Sequence, residues 1–540
     1  MSLDPALLEI WRRTVGAANV ETDDAALARA STATFATTQR VPAIVRPGNR
    51  AEVEACVRVA VRHGTPLYPV SRGRNWGYGS RVPPRDGSVL LELGRLDRIV
   101  EHDEELAYVT VQPGVTFRQL HQFLRERQSR LMLCPVASTP DASIIGNLME
   151  RGIGNGPYAD RFRHVCGLEV VTPTGEVIRT GAGRWTRAQA ARVHPWGTGP
   201  YLDGLFTQAS FGIVTELTLW LLPLPEMAQI HLVRIDRPDG LGPVIDELRR
   251  AVLAGILRPG ASFYNDLRAA SFQQRFPWAE LGEPPLTPAY RASTRARFGA
   301  WSGSIVAYPS SARHAALIRD ELDARLGPWV SDLQRIEASG DELVQLIEGR
   351  APERPGRGPA PEIERFLLEV AVGIPSERGL AAAYWRKRQM PEAPSLHPDR
   401  DRCGVLWCAP AVPMLGVHTR RVSAIVEEIV ASHGFEPMIS FQCITERCIY
   451  AIVPIFYDRD VPGEDERALA CYQRLAARLT QAGFPPYRQI VSSSAPPSEA
   501  LPPFEAFVAR MKAAIDPAQI LAPGRYEGAC SPAGDDHAAG

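Results

Sequence analysis

No stretch of the 540-residue chain approaches the ~20 consecutive apolar residues of a membrane span, which argues against a membrane-spanning helix. Charge of one sign is also missing. Lys+Arg number 60 against 61 for Asp+Glu, a net charge of −1, so neither nucleic acid nor an anionic membrane is expected as the main partner. The first residues, Met1-Ser2-Leu3-Asp4-Pro5, are acidic where a signal peptide would be basic, and no apolar core follows, so a cytoplasmic location is expected. A disulfide framework is lacking as well, because the nine cysteines are dispersed and odd in number. Two Cys-x4-Cys pairs, Cys403/Cys408 and Cys443/Cys448, have strand-like flanks and read as buried thiols rather than a zinc site. Internal repeats are absent, and the small polar tail after Cys530 is expected to be disordered. What remains is an ordinary globular composition, 45% hydrophobic and 22% charged, long enough for about two to four domains.

Between residues 40 and 225, short β-rich runs alternate with amphipathic helical patterns. Ala51–Val61 spaces apolar residues three and four apart and predicts a helix. Strands are predicted at 65–68, 88–93, 107–111 and 212–220, and a hairpin with a Pro-Thr-Gly turn over 167–178. The most informative segment follows the first of these strands: Pro69-Val70-Ser71-Arg72-Gly73-Arg74-Asn75-Trp76-Gly77-Tyr78-Gly79-Ser80. Its glycines permit tight turns that gather backbone N–H groups around an anion, while Arg72, Arg74, Ser71 and Asn75 add charge and donors. It is neither a P-loop, lacking Gly-Lys-Ser/Thr, nor the Gly-x-Gly-x-x-Gly of a dinucleotide fold. Taken by itself, such a loop is more often an ordinary turn. Composition shifts near Leu222-Pro223-Leu224-Pro225, and helical patterns at 310–326 and 418–432, a strand at 448–457 and an exposed Pro/Gly/Arg-rich loop from Arg350 to Pro361 follow.

Four segments in order resemble the vanillyl-alcohol oxidase / p-cresol methylhydroxylase family of FAD-dependent 4-alkylphenol oxidoreductases. They are Gly73-Arg74-Asn75-Trp76-Gly77-Tyr78-Gly79; Ser138-Thr139-Pro140-Asp141-Ala142-Ser143-Ile144-Ile145-Gly146-Asn147-Leu148-Met149-Glu150-Arg151-Gly152, continuing to Pro157-Tyr158-Ala159-Asp160; Asp203–Thr215, including Gly212-Ile213-Val214; and Asp516–Arg525. The resemblance implies a two-domain α+β fold of the FAD-binding p-cresol-methylhydroxylase type. An FAD domain would span 1–226, an antiparallel-sheet cap 227–488 would cover the isoalloxazine, and 489–540 would return to the FAD domain. It further implies that the cofactor contacts are Pro69 to Trp76 and Gly79, Ser138 to Pro140, Ser143, Ile144, Gly146, Asn147, Gly212 to Val214, and Arg525.

Oxidising a para-alkylphenol at its benzylic carbon is eased by ionising the phenol, since the phenolate pushes charge through the ring toward a quinone methide. A site must then depress a pKa near 10, which an arginine flanked by tyrosine hydroxyls does. The resemblance assigns this anchor to Tyr78, Tyr487 and Arg488, and assigns to Asp160 the carboxylate near the reacting carbon. Taken alone, Tyr487-Arg488 would read as a surface pair and Asp160 as a partner of Arg161 or Arg163. The family often tethers its flavin through a His or Tyr where Val405 or Leu406 stands here, so a noncovalent FAD is expected; His397, His418 and Cys134 fit the tether position only with gaps. The substrate class implied is a para-substituted phenol such as vanillyl alcohol, eugenol, an alkylphenol or a lignin-derived phenylpropanoid. Dioxygen or a cytochrome would reoxidise the flavin, and a homodimer or larger homo-oligomer is expected. A hydroxy acid, sugar lactone or sugar alcohol as reductant, or an electron-transfer role with a partner protein, stays open at this point.

Overall fold

The computed structural model describes residues 3–350, 361–393, 395–492 and 502–527. The interior of the expected Arg350–Pro361 loop and the tail after Cys530 lie outside them. Helix Arg50–His63 begins where the Asn49 side chain accepts from the Glu52 N–H and ends at left-handed Gly64, and it buries Val53, Cys56, Val57 and Ala60 on one stripe. The chain then enters strand Leu67–Val70, which pairs in parallel with Val89–Glu92 through Tyr68↔Leu90. With Ile44–Val45 and Val20–Glu21 these form a four-stranded sheet. A second sheet of five antiparallel strands runs Ile99–Asp103, Tyr108–Val111, Ile213–Trp220, Val165–Val171, Val177–Arg179. Strand Val165–Val171, between Ile213–Trp220 and Val177–Arg179, is buried along its whole length, and the expected hairpin closes at Val171↔Val177 with Gly175 at φ 82°.

The strands of the largest sheet all lie between Met227 and Asp458. They run, antiparallel throughout, Asp332–Ser339, Met227–Ile235, Trp301–Ala307, Ala261–Asn265, Ser440–Cys443, Cys448–Asp458, Cys403–Cys408. The pleat sorts its residues by chemistry. Phe263, Ile305, Leu406 and Phe441 join a core with helices Leu241–Leu253, Ala312–Leu326, Gly416–Ser432 and Glu464–Gln481. Their neighbours Ser262, Tyr264, Ser302, Ser304, Val405, Trp407, Ser440 and Gln442 face a cavity instead. Cys403 and Cys408 end one strand on opposite faces and are buried, as is Cys443, whereas Cys448 is only half-buried.

The C-terminal segment docks on the first sheet. The Leu67 N–H donates to Ile520 O and the Ala522 N–H to Leu67 O, both at 2.7 Å, forming a parallel bridge between Leu67 and Leu521. Lys512 Nζ locks it by donating to Ser210 O (2.8 Å) and Leu521 O (2.7 Å) and pairing with Asp516 at 2.8 Å. The fold is α+β, with mixed helices and largely antiparallel sheets. None of its described helices is long and apolar enough to cross a membrane.

Candidate active site

A cavity of about 1370 Å³ runs between the glycine loop and the open face of the large sheet. That exceeds a typical single-ligand pocket, so it has room for a cofactor and a substrate together. Pro69 to Trp76, Ser138, Ser143, Gly146, Asn147, Gly212 to Val214 and Arg525 line it, as do Tyr78, Tyr487 and Arg488. At the floor, Ser143 Oγ caps helix Ile144–Met149 by accepting from the Gly146 N–H (2.9 Å) and donates to Pro113 O (2.6 Å). A Cβ on Gly146 would stand 3.4 Å from Ser71 Oγ, so glycine keeps open a small hydroxyl-lined cradle beside the loop. Arg74 lies near Arg72 and Arg81, and burial lowers its pKa. This donor set of hydroxyls, guanidinium groups and close-approach backbone fits the diphosphate of FAD.

Gly79, Thr139, Pro140 and Ile144 do not line the cavity. Gly79, at φ 126°, is packed under Val491, whose Cγ1 would stand 2.5 Å from an added Cβ. Gly77 likewise makes room for the Trp407 ring, 2.0 Å from the Cβ it lacks. These two glycines therefore serve packing and turn geometry rather than phosphate. Thr139 is turned to Asp141 N–H and Glu377. Pro140 O accepts from the Arg118 N–H, and Ile144 is in the core beneath the helix. Trp76 does line the cavity, but its indole donates to Asp399 (3.0 Å), which also accepts from Ser80 Oγ (2.7 Å).

Tyr78, Tyr487 and Arg488 converge at one end. The Tyr78 and Tyr487 side chains lie close enough to interact, and the Arg488 guanidinium carbon stands 4.0 Å over the Tyr78 ring. Tyr450 stacks on Tyr487 at 4.1 Å, and the Tyr487 backbone is pinned by Ala409 O and by Gln208 Nε2. Burial, reinforced by Tyr487, pushes the Tyr78 hydroxyl well above its ordinary pKa in spite of Arg488. Arg488 Nη2 donates to Asn75 Oδ1 (2.6 Å), while its Nε, buried, has no partner among the described residues.

The carboxylate in this cluster is one to which sequence reading assigned no role. Glu150 accepts from Arg525 (3.0 Å) and the Tyr526 hydroxyl (2.8 Å) and pairs with Arg488 at 3.5 Å. Burial pushes its carboxyl up, but Arg525 and Arg488 more than offset that and hold it below the usual range. Asp160, expected at the reacting carbon, does not line the cavity. It pairs with the exposed Arg163 at 3.0 Å. Arg161, the next residue, turns inward and donates to Cys134 O, Pro135 O, Ile153 O and Asn147 Oδ1, while Asp160 stays half-buried and burial raises its carboxyl pKa. At the expected tether, Val405 lines the cavity and Leu406 faces the opposite core. His397, His418 and Cys134 do not line it. His397 packs edge-on against Trp76 and His418 against Phe484, and burial raises the Cys134 thiol.

Residues 41–181 match the FAD binding domain family. The 1'-carboxy-chondrochloren decarboxylase of Chondromyces crocatus is 45% identical over 96% of this chain and 96% of its own. The 4-cresol dehydrogenase [hydroxylating] flavoprotein subunit of Pseudomonas putida is 27% identical over 88% of this chain and 85% of its own. Among solved structures, the 4-ethylphenol oxidase of Gulosibacter chungangensis in its isoeugenol complex superposes with a TM-score of 0.84 at 26% identity, covering 96% of each chain.

Proposed function

The chain belongs to the vanillyl-alcohol oxidase / p-cresol methylhydroxylase family of flavin-dependent oxidoreductases, and from that premise we propose that it oxidises para-substituted phenols at the benzylic carbon. The observation that carries this reading is the meeting of Tyr78, Tyr487 and Arg488 at one end of the cavity. A phenolate oxygen placed there accepts from two neutral hydroxyls and the guanidinium. The raised pKa of Tyr78 keeps its proton on, so the hydroxyl stays a donor when the substrate ionises. Bound oxidised FAD supplies the two-electron sink, accepting the hydride that leaves the benzylic carbon as the ring becomes a quinone methide. Ser71, Arg72, Gly73, Arg74, Ser143 and Gly146 would hold its diphosphate. In this reading Glu150 holds Arg488, and through it the phenolate oxygen, in place.

The flavin is held without a covalent tether, because the valine at 405 offers no nucleophile. Acid precipitation should leave a colourless pellet and yellow supernatant; a yellow pellet would show a tether elsewhere. The decisive experiment is anaerobic bleaching of the flavin band by 4-alkylphenols, vanillyl alcohol and eugenol, with lactate and a sugar lactone as controls. Bleaching by the controls alone would replace the phenol reading with that of a hydroxy acid or sugar. A second outcome for the same intermediate is favoured by the name of the Chondromyces relative, a decarboxylase. If the carbon next to the benzylic one bears a carboxylate, the carbon–carboxyl bond of the quinone methide can break. Its electron pair then forms the side-chain double bond, the ring returns to phenolate and CO2 leaves.

A further inference from the structure

Among the described residues five arginines are almost wholly buried: Arg161, Arg268, Arg386, Arg488 and Arg525. Four have their charge answered. Arg386 pairs with Glu436 at 2.8 Å, Arg488 and Arg525 share Glu150, and Arg161 is saturated by backbone carbonyls and Asn147. Arg268 has no such answer. It is 6% exposed, lines the cavity, and none of the described carboxylates pairs with it. Nε and Nη1 reach only the hydroxyls of Ser440 and Ser271, each at 3.2 Å, and its Nη2 makes no hydrogen bond among the described residues. Phe272 lies 4.3 Å from the guanidinium carbon, Phe456 5.6 Å and Trp407 5.8 Å, so the group is dry and aromatic-walled. Burial pulls its pKa down to about 10, the direction of a cation short of a counter-charge. A fold that keeps an unpaired guanidinium in such surroundings bears a large desolvation cost, which an arriving anion would offset.

We infer that Arg268, helped by the Ser440 hydroxyl, is the receptor for a carboxylate on the para side chain of the substrate, so that the enzyme acts on phenols whose side chain is an acid. The inference rests on the phenol reading and narrows it. One anion, the phenolate, is then held at Arg488 and a second at Arg268, and a ring carrying both is fixed at two points. The diphosphate has cations of its own in Arg72 and Arg74 on the glycine loop, which leaves Arg268 on the sheet side for substrate.

The test compares 3-(4-hydroxyphenyl)propanoate with its methyl ester in anaerobic stopped-flow reduction of the holoenzyme and of Arg268→Leu and Arg268→Lys. The acid-to-ester ratio of reduction rate over dissociation constant should fall about 30-fold in Arg268→Leu, the loss of one charge-assisted contact, and be partly restored in Arg268→Lys. Thermal stability of Arg268→Leu should hold or rise, because an unpaired buried charge has been removed. An unchanged ratio would overturn the inference. So would a shifted flavin midpoint potential with equal loss on acid and ester, which would make Arg268 a flavin contact. If no phenol bleaches even the wild type, the phenol reading falls by itself. The carboxylate claim is then decided by whether the acid perturbs the flavin spectrum more tightly than the ester, and whether Arg268→Leu abolishes that difference.

Discussion

Arg488 and Arg268 stand in the same cavity, both buried, and differ in what neutralises them. Arg488 shares the ionised Glu150 with Arg525 and touches two tyrosines, whereas Arg268 meets only serine hydroxyls and aromatic rings. A paired guanidinium suits a charge that develops on the substrate during reaction, because the empty site already balances and the tyrosines supply the extra donors. An unpaired one suits a charge that arrives with the ligand and stays. Arg161 shows that a missing acid alone is not enough for such a reading. Its pKa is also pulled down to about 10 by burial, yet it is spent on carbonyl oxygens and holds a loop.

The largest effect that would sharpen this contrast is at Arg488. Arg488→Met should slow flavin reduction by a phenol by about 10²–10³-fold, the scale of losing one preorganised oxyanion donor, with FAD still bound. Reduction within threefold of wild type would break the contrast. Next comes the counter-charge. Glu150→Gln leaves Arg488 and Arg525 sharing a neutral amide. Because the Glu150 side chain is still 21% exposed, the cost should lie near the low end for a broken buried pair, about 3 kcal/mol by chemical denaturation at neutral pH. The sign with pH follows from the depressed native pKa. Stability contributed by Glu150 is full above its unfolded value near 4.5 and is lost as pH falls through the lower native value, so wild type and Glu150→Gln should converge in acid. The smallest effect is expected at Asp160. Asp160→Asn removes a partly exposed pair with Arg163 and should change stability by less than about 1 kcal/mol. A drop in flavin reduction of tenfold or more would return the carboxylate role to Asp160.

Much of the cradle and the phenolate anchor was legible because local spacing carries it. Ser71 to Tyr78 are contiguous in one loop, and Tyr487-Arg488 are adjacent, so a motif match locates them together. Glu150 lies inside a segment singled out for its resemblance, but its meaning depends on Arg525, 375 residues away, and nothing local announces that pairing. Arg268 is less visible still: in Asn265-Asp266-Leu267-Arg268 no neighbour marks it, and its distinction is what fails to face it in three dimensions. The expected contacts that lie outside the cavity have the opposite cause. Ile144 and Gly79 fall within matching strings, yet a motif names a stretch and does not say which side chain the helix turns to the core or which glycine lies under Val491.

The parallel bridge between Leu67 and Leu521 also sets an order of events during synthesis. The ribosome delivers the glycine loop and Glu150 early, whereas Arg525, which closes on Glu150 from 375 residues downstream, comes late. At the usual elongation rate that interval lasts roughly 20–75 s, time in which the large intervening sheet can form while the first sheet still lacks its last edge. The cavity therefore lacks Arg525, and Glu150 lacks that counter-charge, until the segment carrying Arg525 has emerged.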